Sequence, residues 1–181
     1  MMEHGQLAEA QTLLTSYLAT NPNSLDAWAL LRQIYTRQSD TKSYLDATVK
    51  TCALHLKAHQ IEAAFQDYAE FVDNGGVKMP AMTWLELCKG AEEMQEFERA
   101  FAEYQELAKA YPAERQALTA QLSAARLCLK KLNRPKDALA IYQAAAASPI
   151  PHLDWETLIQ AGIKEAKAAR ASGNAMAAGA Q

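Results

Sequence analysis

Trp84–Pro112 reads WLELCKGAEEMQEFERAFAEYQELAKAYP. Leu87 and Ala91 follow Trp84 at i+3 and i+7, the spacing of one helical face, and Ala100 and Tyr104 stand four apart on a second apolar stripe. A turn near Gln95 separates the two, and Pro112 ends the second because proline disfavours helical backbone in the residue before it. The stretch therefore spells a helical hairpin. Its two halves recur elsewhere at the same offsets. Trp28 is followed by Leu31 and Tyr35, and Trp155 by Leu158 and Gly162, while Ala10, Leu14 and Pro22 reproduce Ala100, Tyr104 and Pro112.

Working outward, punctuation divides the chain into about nine helices. The first runs from Gly5 to Thr20 and stops before Asn21-Pro22; Ser24 is the N-cap of the next, which ends near Gln38. Ser39-Asp40-Thr41 is a turn, followed by helices over 41–57 and 60–73 and then by Asn74-Gly75-Gly76, a helix-ending cluster. Pro80 opens the helix bearing Trp84. Pro112, Asn133-Arg134-Pro135 and Ser148-Pro149-Ile150-Pro151 separate three further helices. Seven glycines and six prolines in 181 residues, with half the residues apolar, point to an all-α chain and away from a turn-rich sandwich or barrel. The Ala/Gly/Ser-rich end beyond Arg170 has only Met176 as a large apolar residue, so a single helical domain over 1–170 with a flexible tail at 171–181 is expected.

The spacing also locates an irregularity. Trp84 and Trp155 are 71 residues apart, about two periods of a ~34-residue hairpin repeat, whereas Trp28 and Trp84 are 56 apart, which is neither one period nor two. A phase break is expected around 41–76. There Ala64-x3-Tyr68 reads as a second helix of a hairpin and leaves 41–57 open between the two roles. The N-terminal element reads as a second helix whose first is missing. Either that half belongs to a longer natural protein, the favoured alternative, or Leu7 and Leu14 are covered only by the helix at 24–38.

These landmarks resemble the tetratricopeptide repeat (TPR) over roughly 5–165, most strongly at 5–37 and 84–112. The resemblance implies stacked antiparallel hairpins wound into an α-α superhelix, with Ala10, Ala100 and Ala138 at close helix crossings. The glycine customary after W-x2-L is replaced by Arg32, Cys88 and Ile159, and Arg32 is expected to lay its stem along the surface. The implied groove positions are Asp26, Ala29, Gln33, Thr36 and Arg37 on one helix and Met82, Leu85, Lys89, Glu92 and Glu93 on another. The family's carboxylate clamp for chaperone tails is not matched, since Ala29, Gln33, Met82 and Glu86 stand where basic residues and an asparagine are required.

The chemistry-bearing residues point to binding rather than catalysis. Cys52, His55 and His59 fall at i, i+3 and i+7, but a zinc site needs a fourth ligand, and the HLKAH stretch lacks the glutamate of a metalloprotease motif, so a packed face with no metal is expected. His4 and His152 sit in turns near helix starts, where capping or surface roles are expected. No phosphate loop, nucleophile elbow or other cofactor motif is present. Three widely spaced cysteines within apolar helices indicate buried thiols in a reducing compartment. The net charge of −3 gives no reason to invoke nucleic acid, and the basic run Arg126, Lys130, Lys131, Arg134, Lys136 lacks interleaved aromatics. Seven glutamates against Lys89 and Arg99 in 86–106 precede seven basic residues against Glu114 and Asp137 in 109–137, which reads as neighbouring solvated faces that attract each other.

No run is long enough for membrane insertion and no signal peptide opens the chain, so a cytoplasmic protein is expected; the tetratricopeptide resemblance implies one that binds without enzymatic activity, and a bacterial source is expected. Its job is that of a scaffold holding a protein or peptide partner, and the exposed terminal hairpins raise pairing into a homodimer. The alternative is a soluble accessory or regulatory domain of a larger bacterial membrane protein or enzyme. The Asn133-Arg134-Pro135 and Ser148-to-Trp155 segments resemble the soluble tails of some rhomboid-type intramembrane proteases.

Overall fold

The computed structural model describes the backbone of residues 2–178 and the side chains of 5–172. Among them nine α-helices and one short 3-10 turn account for all regular structure: α1 (Met2–Thr20), α2 (Leu25–Gln38), α3 (Thr41–Lys57), α4 (Ile61–Asp73), α5 (Ala81–Glu93), α6 (Phe97–Ala110), α7 (Arg115–Lys130), α8 (Pro135–Ala146), the 3-10 turn Leu153–Trp155 and α9 (Glu156–Ala178). The chain divides into two compact units, Met1–Thr83 and Trp84–Gln181, and the division falls in the first turn of α5. Helix α9 continues to Ala178, past Arg170, and 179–181 lie outside the described residues.

The hairpins are closed by one recurrent device. Ser39, His59, Gln95 and Asn133 each take a positive φ of 52–61° just past a helix, and Gly75 does so at 88°. The following N–H then reaches back five residues, as in Asp40 N to Tyr35 O, Gln60 N to His55 O and Glu96 N to Ala91 O, all at 2.9 Å. This satisfies carbonyls that the helix end leaves open. A non-glycine residue in the left-handed region costs about 1 kcal/mol or more, least for asparagine, so the turns at Ser39, His59 and Gln95 are held against local preference by the packing on either side. Helix starts follow the sequence signals, with Ser24 Oγ accepting from Ala27 N at 3.3 Å and Asp40 Oδ1 from Ser43 N at 3.0 Å.

In the first unit α1 packs on α2, α2 on α3 and α3 on α4. Leu18, Ala27, Leu31 and Ile34 form a core beneath Leu7, Ala10, Leu14, Trp28 and Tyr35. The indole N–H of Trp28 donates to Pro22 O at 3.0 Å, tying the helix start to the turn before it. Neither α3 nor α4 is broken. The break in repeat phase instead appears in helix number, because Trp28 and Trp84 lie three helices apart, on α2 and α5, while Trp84 and Trp155 lie four helix positions apart. An odd helix therefore occupies 41–76.

In the second unit α6, α7, α8 and α9 each pack on the next, and α7 also meets α9. Ala100, Tyr104, Ala138 and Ala166 are fully buried. A methyl side chain at each alanine lets the facing helix approach closely, as the tetratricopeptide resemblance implies for Ala100 and Ala138. Helix α5 is fastened through polar bonds as well as packing. Trp84 Nε1 donates to Glu103 at 2.7 Å, and the hydroxyl of Tyr104 to Glu92 at 2.7 Å.

Candidate functional site

Helix α7 presents Arg115, Thr119, Leu122, Arg126 and Lys130 at spacings of four, three, four and four, a single stripe along its length. Opposite it α9 presents Leu158, Ala161, Gly162 and Glu165, and Tyr142 of α8 forms the floor between them. The result is a slot of about 410 Å³. Gly162 shapes it, because a Cβ there would run into the Tyr142 ring. Ion pairs stand at both ends. Arg115 pairs with Asp154 and lies 4.2 Å over the Trp155 ring, and Lys130 pairs with Glu165. Leu158 remains 52% exposed inside this frame. Burial, with the charge of Glu165, raises the Tyr142 hydroxyl above its ordinary pKa against the opposing pull of Arg126.

Arg126 also pairs with Glu92 of α5 at 2.6 Å, and Arg134 with Glu98 of α6 at 2.7 Å. Lys131 lies 5.2 Å over the ring of Phe97. Four residues of the basic run, Arg126, Lys130, Lys131 and Arg134, are thus answered by acids or a ring of neighbouring helices, two of the acids, Glu92 and Glu98, coming from the acidic block at 86–106. Each exposed pair contributes only ~0.2–1 kcal/mol, so together they fix register more than they add stability.

The groove positions expected from the resemblance separate by exposure. Asp26, Gln33, Thr36 and Arg37 are all exposed on α2, with the Thr36 hydroxyl turned back to Arg32 O at 2.9 Å. Met82 is 56% exposed on α5. Of the others on α5, Lys89 and Glu93 are exposed, Lys89 pairing with Glu86 at 2.7 Å. Leu85 lies in the core, 5% exposed, and Glu92 is occupied by Tyr104 and Arg126. The α7–α9 slot was not among the expected positions. Its signal in the sequence was the third W-x2-L at Trp155-Leu158, with the glycine at 162.

A second polar constellation lies inside the first unit. The guanidinium of Arg32 donates to Asp67 at 2.6 Å and to Thr51 at 3.1 Å, and also pairs with Glu70, which accepts from Tyr44 at 2.7 Å. His55 Nδ1 meets the other oxygen of Asp67 at 2.9 Å. Burial alone would lower the Arg32 pKa, but the hydrogen bond with Tyr44 and the charges of Asp67 and Glu70 outweigh it and the net shift is upward. Asp67 is only 4% exposed, so this cluster stitches α2, α3 and α4 together. The sequence asked only that the Arg32 stem lie along the surface; its head turns inward, where two carboxylates of α4 meet it.

His59 lies in the turn beyond α3 rather than on its face, which separates it from Cys52 and His55. The Cys52 thiol donates to Ala64 O at 3.4 Å. No group of three or more His, Cys, Asp or Glu among the described residues is placed to hold a metal ion, and no helix among them is long and apolar enough to cross a membrane. His152 Nδ1 contacts Ile150 O at 2.6 Å in the turn before α9, a local structural role.

No family model and no curated protein matches this chain. Among solved structures it is similar to a thermophilic TPR protein of Thermus thermophilus, at 15% identity and a TM-score of 0.48, over 90% of this chain and 93% of that one.

Proposed function

We propose that the protein is a non-catalytic interaction scaffold that holds a short segment of another protein in the α7–α9 slot. The observation that carries this reading is the slot's construction: an apolar floor, a half-exposed Leu158, polar groups at Thr119 and Arg126, and ion pairs framing both ends. A volume of about 410 Å³ suits one or two bulky apolar side chains of a peptide, within the ~300–1,000 Å³ typical of binding pockets. Arg126 pairs with Glu92 through one terminal nitrogen and is 55% exposed, so its remaining N–H donors can meet a carboxylate beside the apolar anchor. The three thiols are buried and pushed above their ordinary pKa, which is the wrong setting for a nucleophile.

The test is selection of peptides from a random display library on the full chain, followed by affinity measurement. Selected peptides should share a bulky apolar residue near an acidic one. Leu158→Arg should weaken them by ~10-fold or more, the effect of losing a central anchor, with helical circular dichroism unchanged. Ligands that bind Leu158→Arg as well as the parent place recognition elsewhere and defeat the reading.

A further inference from the structure

The open side of α2 carries a pattern that is its own complement. Asp26, Leu30, Gln33 and Arg37 stand at offsets of zero, four, seven and eleven, and at ~100° per residue they fall within roughly 60° of one another around the helix axis. All four are exposed, Leu30 by 48%. Beside them α1 exposes Leu13 by 66% and Tyr17 by 50%. Between the helices lies a hollow of about 440 Å³ lined by Leu7, Leu14 and Ile34, with Arg37 also on its wall. Neither Asp26 nor Arg37 is ion-paired within the described residues. Helix-dipole complement accounts for an acid in the first turn and a base in the last. It does not account for the apolar surface exposed between and beside them, which is the mark of an interface.

We propose that this face docks on a second copy of the chain, α2 against α2, antiparallel about a two-fold axis. An axis passing between the two α2 helices, level with the midpoint of Leu31 and Arg32, carries position 26 onto 37 and position 30 onto 33. Each Asp26 then meets Arg37 of the partner subunit, and the two Leu30 side chains flank the axis beside the glutamines. Two helical hairpins joined in this way form a four-helix bundle that covers Leu13 and Tyr17. An isologous contact needs both signs of charge equidistant from its centre, and α2 supplies them. A one-sided peptide partner has no need of that symmetry. The inference stands independently of the α7–α9 slot, which lies in the other unit.

Sedimentation velocity on the full chain from about 1 to 300 µM tests it across the range where a modest interface associates. Reversible monomer–dimer exchange is expected. Asp26→Arg and Arg37→Asp should each weaken the dimer by ~10-fold or more, because two attractive pairs become repulsive. The double variant carrying both should return to within about threefold of the parent, since the swapped signs complement one another again. Leu30→Glu should leave a monomer with unchanged helical circular dichroism. A chain monomeric throughout, a dimer indifferent to Leu30→Glu, or a double reversal no better than the single ones would each overturn the proposal, the first by leaving the face to a different chain.

Discussion

At the scale of single residues, Asp67 and Gly162 sit where the environment decides the outcome. Asp67 is buried and answers both Arg32 and His55, so Asp67→Ala removes two contacts at once and leaves the Arg32 head its hydroxyl partners Thr51 and Tyr44 with the half-exposed Glu70 as countercharge. Breaking a buried pair from one side costs about 3–5 kcal/mol, and the partial exposure of Arg32 moves the expectation to the lower end, ~3 kcal/mol. Urea unfolding followed by circular dichroism measures it, and a loss below about 1 kcal/mol would show that water replaces the carboxylate. At Gly162 two effects oppose each other. Alanine gains ~1 kcal/mol of helix propensity, while overpacking against Tyr142 costs ~1–3 kcal/mol. The methyl is aimed at the face of a ring within a packed floor, so Gly162→Ala should be net destabilising and should also narrow the slot. A thermal midpoint equal to or above that of the parent refutes this.

At the scale of elements, the acidic α5–α6 hairpin interlocks with α7 through Arg126–Glu92 and with the turn between α7 and α8 through Arg134–Glu98. Their contributions are expected to differ. Glu92 is 17% exposed and also receives Tyr104, whereas Glu98 is 63% exposed. A double-mutant cycle to alanine should give a coupling of ~1 kcal/mol for Arg126–Glu92 and ~0.3 kcal/mol or less for Arg134–Glu98. Equal couplings would mean that burial of Glu92 does not matter. The hairpins themselves were legible in sequence. Trp, Ala and Pro landmarks gave the number of helices and most ends within a few residues, because apolar periodicity and turn chemistry are local. The left-handed Ser39, His59, Gln95 and Asn133 were not legible as helix ends of one kind, since three of these residue types carry little preference for that conformation and packing imposes it.

For the molecule as a whole, the buried thiols set a pH response. Burial pushes Cys52 up to about 12 and Cys128 up to about 11 from an ordinary 9.0, and Cys88 higher still. A thiol whose pKa is raised by folding keeps its proton longer in the native state. Its stabilising effect is complete below about pH 9 and is lost as pH climbs towards the folded value, at up to ~1.4 kcal/mol per pH unit and thiol. The buried Tyr104 hydroxyl, raised by burial and by its bond to Glu92, acts in the same direction. Urea midpoints should therefore be flat from about pH 7 to 8.5 and fall steeply above pH 9. Replacing Cys52 and Cys128 by alanine should reduce that slope, and an unchanged slope would assign the alkaline loss to other groups.

What the sequence determined by itself was the all-α class, the hairpin as the unit and the place where the repeat loses phase, because these rest on residue spacing along one chain. Tertiary structure alone decided that Arg32 turns inward, that Leu85 and Glu92 are taken up within the second unit, and that α7 and α9 enclose a slot. Each of those outcomes depends on side chains far apart in the chain meeting at one point. Charge shows the division most clearly: the sequence displays two blocks of opposite sign, and only the packing of α5, α6, α7 and α9 decides which glutamate answers which base.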